Sequence, residues 1–218
     1  MMGIYSTGKI PFKDVVLHGL VRDKDRQKMS KSKGNVIDPM VVADAYGADA
    51  LRMALVFNTS LGFDVMISED KILTQKKFAN KIWNAARFSL QNFNKNFNPK
   101  KVKPDYTKKD RWILAELEKT SEKTKKDLEN YKFHEAAQKI YHFFWHKFCD
   151  KCIEDVKTRI KEPKSEKDKK IAQLILWTVL VESLKLLHPF MPFITEAIYQ
   201  EIPHRPQKAL IIENWPLR

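Results

Sequence analysis

Cysteine is almost missing from the chain. The two present, Cys149 and Cys152, cannot build a disulfide framework. No apolar run approaches the roughly 18 to 20 residues that span a bilayer, so no membrane partner is expected. The N-terminus, Met1-Met2-Gly3-Ile4-Tyr5, lacks the charged start, apolar centre and small-residue cleavage site of a secretory signal. A cytoplasmic protein is therefore expected. Internal repeats and low-complexity tracts are absent as well.

The cysteines do form a C-x-x-C pattern, Cys149-Asp150-Lys151-Cys152, with His142 and His146 close before it. All four fall within one strongly periodic helical stretch and span about 15 Å at 1.5 Å per residue. That is too far to surround one ion tetrahedrally, so no metal site is read here. No strand precedes the pair, as a redox motif would require. These side chains are expected to be ordinary helix residues, partly core.

What the chain has in plenty is positive charge. Lys and Arg number 40 against 27 Asp and Glu, a formal net charge of +13. A polyanionic partner follows, although charge alone does not choose among tRNA, other RNA, DNA and an anionic surface. Residues 95–170 hold 22 basic and 14 acidic side chains, a net of +8. Those lysines either solvate helix faces or track phosphates.

The run Lys28-Met29-Ser30-Lys31-Ser32, continuing to Pro39, packs lysines, hydroxyls and Gly34 into a short polar stretch. Lysine supplies mobile point charges, serine supplies donors, and Gly34 lets the backbone bend. Such a loop can hold phosphate; it can equally be a solvated basic patch.

Asp14 to Arg22 reads as a buried strand and Asp23 to Gln27 as a turn. Asp38 caps a helix that restarts at Pro39 and is interrupted at Tyr46-Gly47. One strand cannot make a sheet, so a larger α/β domain is expected to extend beyond this segment. From Ser68 the sequence is helical almost throughout.

The first long helix is expected from about Glu69 to Asn94, with a stripe of Ile72, Phe78, Ala79, Ile82, Trp83, Ala86, Leu90 and Phe93. Phe88 projects from its other side among Lys77, Lys81, Asn84 and Gln91, with Asn80 and Arg87 flanking. An aromatic among amides and cations suits stacking on an unpaired base, unless a neighbouring helix covers it.

After a linker from Asn94 to Thr107, helices are expected at about 108–130, 133–161 and 166–187, with Thr107, Asp110 and Ser165 as caps. The stripe of the first is Trp112, Leu114, Leu117 and Leu128. The second carries a core repeat from Phe133 to Val156. The third is nearly apolar all round and should sit centrally. A short helix from Pro192 to Ile202 and a strand or docking tail at Ala209 to Trp215 close the chain.

The run from Lys28 to Ser32 with Gly34-Asn35-Val36-Ile37-Asp38-Pro39 resembles the KMSKS motif of class I aminoacyl-tRNA synthetases. Its flanks are similar to those of the valyl-tRNA synthetases, at Thr7 to Phe12, His18 to Asp23 and Tyr46 to Arg52. So are Phe78 to Phe88, Phe148-Cys149-Asp150 and His188 to Glu196. Isoleucyl and leucyl relatives share part of this pattern; Ala50-Leu51-Arg52 and Asn80 to Phe88 favour valine.

The resemblance implies a mainly α fold. The end of a Rossmann-type α/β catalytic domain, residues 1–66, precedes an α-helical anticodon-binding bundle, residues 67–218. It implies a ligase that joins valine to tRNA(Val) using ATP with Mg2+. Lys31 would be the main phosphate-contacting lysine and Lys28 its helper. Met29, Ser30, Ser32 and Gly34 complete the loop, and Lys77, Lys81, Asn84, Arg87 and Phe88 are candidates for the anticodon stem-loop.

A monomer is expected, with no tightly bound cofactor in this piece. The family's His-x-Gly-His element and its editing domain are not in the sequence. A C-terminal fragment is therefore expected, inactive alone and dependent on the catalytic and editing domains that would precede it. The alternative is a stand-alone helical RNA-binding module. Lys151-Cys152 also stands where the family more often has two aromatics, which would loosen packing there.

Overall fold

The structure, a computed structural model, describes residues 1–93 and 97–216; the side chain of Lys31 lies outside the described residues. It is mainly helical. A short helix α1, Met2–Thr7, leads through an irregular segment to strand β1, Val21–Arg22. Helices α2, Pro39–Tyr46, and α3, Ala48–Val56, follow the lysine loop. Strand β2, Val65–Met66, pairs parallel to β1 with Val21 opposite Val65.

The expected strand from Asp14 shrinks to these two residues. Val15, Leu17 and Leu20 are exposed, and nothing among the described residues packs over them. A strand forms only where a partner backbone takes its hydrogen bonds, and β2, which was not anticipated, supplies one for two residues. Gly19 permits that pairing. A Cβ there would lie 2.1 Å from the Phe63 carbonyl oxygen, so only glycine lets the two backbones approach. Asp64 fixes the register by accepting the Leu20 N–H at 2.8 Å and pairing with the Arg22 guanidinium.

Helix α4, Glu69–Gln91, starts where Ser68 accepts the Lys71 N–H, with Glu69 and Asp70 in its first turn. The helix ends at Gln91 with Asn92 as its C-cap, short of the expected end at Asn94, which itself lies outside the described residues. Helix α5, Lys108–Glu129, opens on a capping box in which Thr107 and Asp110 each bond the other's backbone N–H.

The expected helix from Phe133 is continuous but not uniformly α. Helix α6, Phe133–His142, passes into a π-helical segment, Phe143–Ile153, and then into α7, Glu154–Lys161. Helix α8, Glu166–Leu187, is buried on nearly all sides, and α9, Pro192–Glu201, follows the Pro189 turn. The expected strand near the C-terminus is a 3-10 turn at Leu210–Ile212.

The main core joins α4 to α9 around Phe78, Phe144, Phe148, Leu176 and Leu180. A smaller one gathers Val42, Ala50, Ala54, Ile67 and Ile72. Two expected stripes are rotated. On α4, Trp83 is 48% exposed while Ala85 and Ser89 are buried. The small residues let neighbouring helices approach closely, a role that hydrophobicity alone does not signal. On α5, Trp112 is 36% exposed while Ile113, Thr120, Ser121 and Thr124 face inward.

Candidate nucleotide loop and nucleic-acid interface

The lysine loop grows out of β1 and is held at its base by side chains rather than by a sheet. Arg22 and Lys28 form an isolated antiparallel bridge. Asp23 Oδ1 accepts the backbone N–H groups of Asp25 and Gln27 at 3.0 and 2.8 Å, and its other oxygen accepts Asn35 Nδ2 at 2.7 Å. The Asn35 amide, first among these donors, holds the Asp23 carboxyl below its usual range. Asn35 Oδ1 in turn accepts the Ser30 N–H at 2.9 Å.

Within the loop, the Ser30 and Ser32 hydroxyls lie 3.2 Å apart and Lys31–Lys33 form a 3-10 turn. Met29 is packed against the smaller core beside Ile37. Lys28, Ser32 and Gly34 face solvent. Gly34 has φ +64, in the left-handed region. Residues 28, 30, 32 and 34 thus share one short turn, and the backbone of residue 31 lies within it.

On α4, Lys77, Lys81, Asn84 and Phe88 follow one another at i, i+4, i+7 and i+11, which aligns them along the helix. Lys77, Asn84 and Arg87 are exposed. Lys81 is half-buried: its ammonium bonds Asp150 at 3.2 Å and lies 4.9 Å from the Trp145 ring centre. His146 Nδ1 stands 3.2 Å from the other Asp150 oxygen.

Phe88 is partly covered rather than free. Its inner edge packs on the main core, and the Lys157 ammonium lies 5.5 Å from its ring centre. The rungs Lys81–Asp150 and Phe88–Lys157 are each seven residues apart on both helices. Helix α4 and the π–α7 stretch therefore run side by side in the same direction. Sequence reasoning missed Asp150 and Lys157 on the facing wall, because a single-helix wheel carries no information about a neighbour. It also missed Trp83, the exposed aromatic at the other edge of the buried face.

Cys149 and Cys152 are buried in the π-helical segment. Burial pushes the Cys149 thiol up to about 12, and Cys152 higher still, so neither is a ready nucleophile. Among the described residues, no group of three His, Cys, Asp or Glu side chains could hold a metal ion. A cavity of about 280 Å³ lies beside Lys151 and Cys152, with Trp112 and Ile113 on its other wall. No helix among those described is long and apolar enough to cross a membrane.

The family described as "Anticodon-binding domain of tRNA ligase" matches residues 110–218, half of the chain. The chain belongs to this tRNA-ligase family. A second, "tRNA synthetases class I (I, L, M and V)", matches residues 1–68 and so contains the lysine loop.

Among curated relatives, a valine–tRNA ligase of Geobacter sulfurreducens is 46% identical over 99% of this chain and 25% of its own length. One of Aquifex aeolicus is 42% identical over 99% of this chain and 20% of its own. The chain thus spans about a quarter of the length of such relatives. Among solved structures, a methionyl-tRNA synthetase of Mycobacterium tuberculosis in complex with methionyl-adenylate superposes with TM-score 0.69. It is 26% identical, over 83% of this chain and 36% of that one. A LeuRS of Agrobacterium radiobacter K84, in a ternary complex with tRNA and LeuAMS, shares the fold with TM-score 0.66 over 91% of this chain and 23% of that one, at 24% identity.

Proposed function

We propose that this tRNA-ligase chain is part of a cytoplasmic valine–tRNA ligase. Residues 1–66 supply the phosphate-binding loop and residues 67–218 the bundle that grips the anticodon stem-loop of tRNA(Val). The observation that carries the reading is the 42–47% identity to valine–tRNA ligases across both the loop and the bundle.

The geometry supports the roles. Valine's carboxylate attacks the α-phosphorus of ATP, pyrophosphate leaves, and the aminoacyl group then passes to the tRNA 3′ end. Negative charge on the departing phosphates is offset by ammonium groups held in position. Lys28 and Lys31 are the candidates for that task, with Ser30, Ser32 and the backbone at Met29 and Gly34 shaping the turn that presents them. Mg2+ would arrive on the phosphates of ATP as part of the substrate.

On the bundle, Lys81 bonds Asp150 and Phe88 meets Lys157 along the seam between the two helices, with Lys77, Asn84 and Arg87 exposed beside them on α4. The exposed Lys77 and Arg87 can contact phosphates, and the uncovered part of the Phe88 ring can receive a base.

The test is a gel-shift titration of this chain with anticodon stem-loops carrying valine and non-valine anticodons, at two salt concentrations. Tighter binding of the valine stem-loop supports the reading. Equal binding of all stem-loops, falling steeply with salt, would leave a general basic RNA binder instead.

A further inference from the structure

The lysine loop has almost no regular structure of its own, yet it has a definite shape. Its shape traces to two side chains outside the lysine-serine run. Asn35 stands just after Gly34, whose left-handed backbone turns the chain back towards β1. From there its carboxamide reaches both ends of the loop. The oxygen accepts the Ser30 N–H at 2.9 Å, while the nitrogen donates to Asp23 at 2.7 Å and, at 3.4 Å, towards the Lys28 carbonyl.

Asp23 is engaged on its other oxygen by the N–H groups of Asp25 and Gln27, so its carboxylate cannot turn away without breaking the 23–27 turn. Both residues are half-buried. That turn is closed further by the Asp23 N–H bonding the Gln27 carbonyl at 3.1 Å. Lys33 Nζ bonds the Gln27 side chain at 3.3 Å, which ties the far limb of the loop to the same anchor.

We propose that Asp23 and Asn35 form a clasp that pre-orders the lysine loop, making Asn35 a positioning residue for phosphate binding. The role for phosphate rests on the reading of the preceding section; the clasp itself rests on geometry alone. A charge-assisted bond between a carboxylate and an amide is among the stronger neutral-to-ion contacts, and here it closes a loop of about a dozen residues. Without it, Lys28, Ser30 and Ser32 would have to be ordered anew whenever phosphate binds, and affinity would fall accordingly.

The clasp makes a prediction that loop order in general does not. Exchanging its two groups should preserve it. With Asp23→Asn and Asn35→Asp together, position 23 still accepts the N–H groups of Asp25 and Gln27 through its amide oxygen. Its amide nitrogen then donates to the carboxylate at position 35, which still accepts the Ser30 N–H. Only the long contact to the Lys28 carbonyl is lost. Asn35→Asp alone sets two carboxylates face to face, and Asp23→Asn alone sets two amide nitrogens together.

The experiment is limited trypsin digestion of this chain with mass-spectrometric quantification of cleavage after Lys28, Lys31 and Lys33. Cleavage after Lys9 and Lys13 in the irregular segment before β1 serves as the internal standard. Either single variant should raise loop cleavage by about tenfold, because proteolysis follows the population of the open form. The double variant should return it to within about twofold of the parent, with the thermal midpoint of the bundle unchanged in all four proteins.

Single variants that cut at the parental rate would overturn the clasp, as would a double variant cut as fast as the singles. A second arm repeats the digestion with tripolyphosphate. It should slow loop cleavage in the parent and in the double variant, and much less in the singles. Equal protection of all four proteins would refute Asn35 as a positioning residue for phosphate even if the clasp exists. No protection of the parent would instead sink the phosphate-loop reading, leaving the first arm to judge the clasp.

Discussion

Asp49 of α3 caps a helix it does not belong to, accepting the Ile194 N–H of α9 at 2.6 Å. Its other oxygen takes the Phe193 N–H at 3.2 Å, and Pro192 at the first helical position has no N–H to satisfy. Three residues on, Arg52 donates to the carbonyls of Phe190 and Pro189 at 3.3 and 3.2 Å. One turn of α3 thus grips both the end of the α8–α9 turn and the start of α9. Burial raises the Asp49 carboxyl above its ordinary value, against these donors and the nearby Arg52 and His188.

Asp49→Ala should therefore lower the stability of the chain by about 1–3 kcal/mol, since it strands two N–H groups in a site where Asp49 is only 7% exposed. Urea unfolding followed by helical circular dichroism would measure the change. Asp49→Asn keeps one acceptor oxygen and should cost less than Asp49→Ala. An alanine variant as stable as the parent would mean that water replaces the cap.

His188 supplies a pH test of the same joint. Its Nδ1 lies 2.8 Å from the Thr195 hydroxyl, and burial holds its pKa below the ordinary histidine value of 6.5. Between the folded and unfolded pKa values the unfolded chain binds more protons, so stability must rise with pH there. The His188 contribution is complete above pH 6.5 and is lost as pH falls through the folded value. His188→Gln should flatten the slope of unfolding free energy against pH between about 5 and 7 relative to the parent. An unchanged slope would assign it to other groups, such as His142, whose pKa is also lowered by burial.

Gly19→Ala should disrupt the two-strand pairing, because its Cβ would meet Phe63 backbone atoms at 2.1 and 2.3 Å. Backbone has to move, which costs on the order of 1–3 kcal/mol. Hydrogen exchange gives the local readout. The Val65 and Ile67 N–H groups, which bond the carbonyls of Leu20 and Arg22, should exchange faster while the α8 amides keep their protection. Equal protection of Val65 and Ile67 in both proteins would count against the close approach.

How much of this could be read from the residues depends on where the determining partner lies. Caps are local, so Asp38, Ser68, Thr107 with Asp110, and Ser165 were all legible and all bond as expected. The central place of α8 was legible because its apolar run leaves no polar face to turn outward. Strand β1 was over-read, since β-branched composition describes a surface that fits a sheet but not whether a sheet is there. A wheel places Trp83 and Trp112 in the core because it scores hydrophobicity, whereas close helix approach is set by Ala85, Ser89, Thr120 and Thr124. The lysine loop was visible as chemistry, but the Asn35–Asp23 bond spans 12 residues and needs Gly34's turn to form. The π-helical segment left no mark in the apolar periodicity.

Phe88 is the residue at which binding and packing can be told apart. Part of its ring packs on the main core while the Lys157 ammonium lies over it, so Phe88→Ala removes both a packing contact and a stacking surface. A base stacked on an aromatic ring contributes about 1–3 kcal/mol, which corresponds to a weakening of about 5- to 150-fold for an anticodon stem-loop. Phe88→Leu keeps most of the buried volume but offers no π face, so it should weaken binding almost as much while leaving the thermal midpoint nearly unchanged. If Phe88→Leu binds like the parent and only Phe88→Ala is impaired, the ring serves the core alone. Trp83→Ala provides the contrast. As an exposed aromatic at the far edge of α4's buried face, it should leave stem-loop affinity unchanged if the side of α4 that meets Asp150 and Lys157 is the binding wall. A loss of affinity confined to Trp83→Ala would move the interface to the other side of the helix.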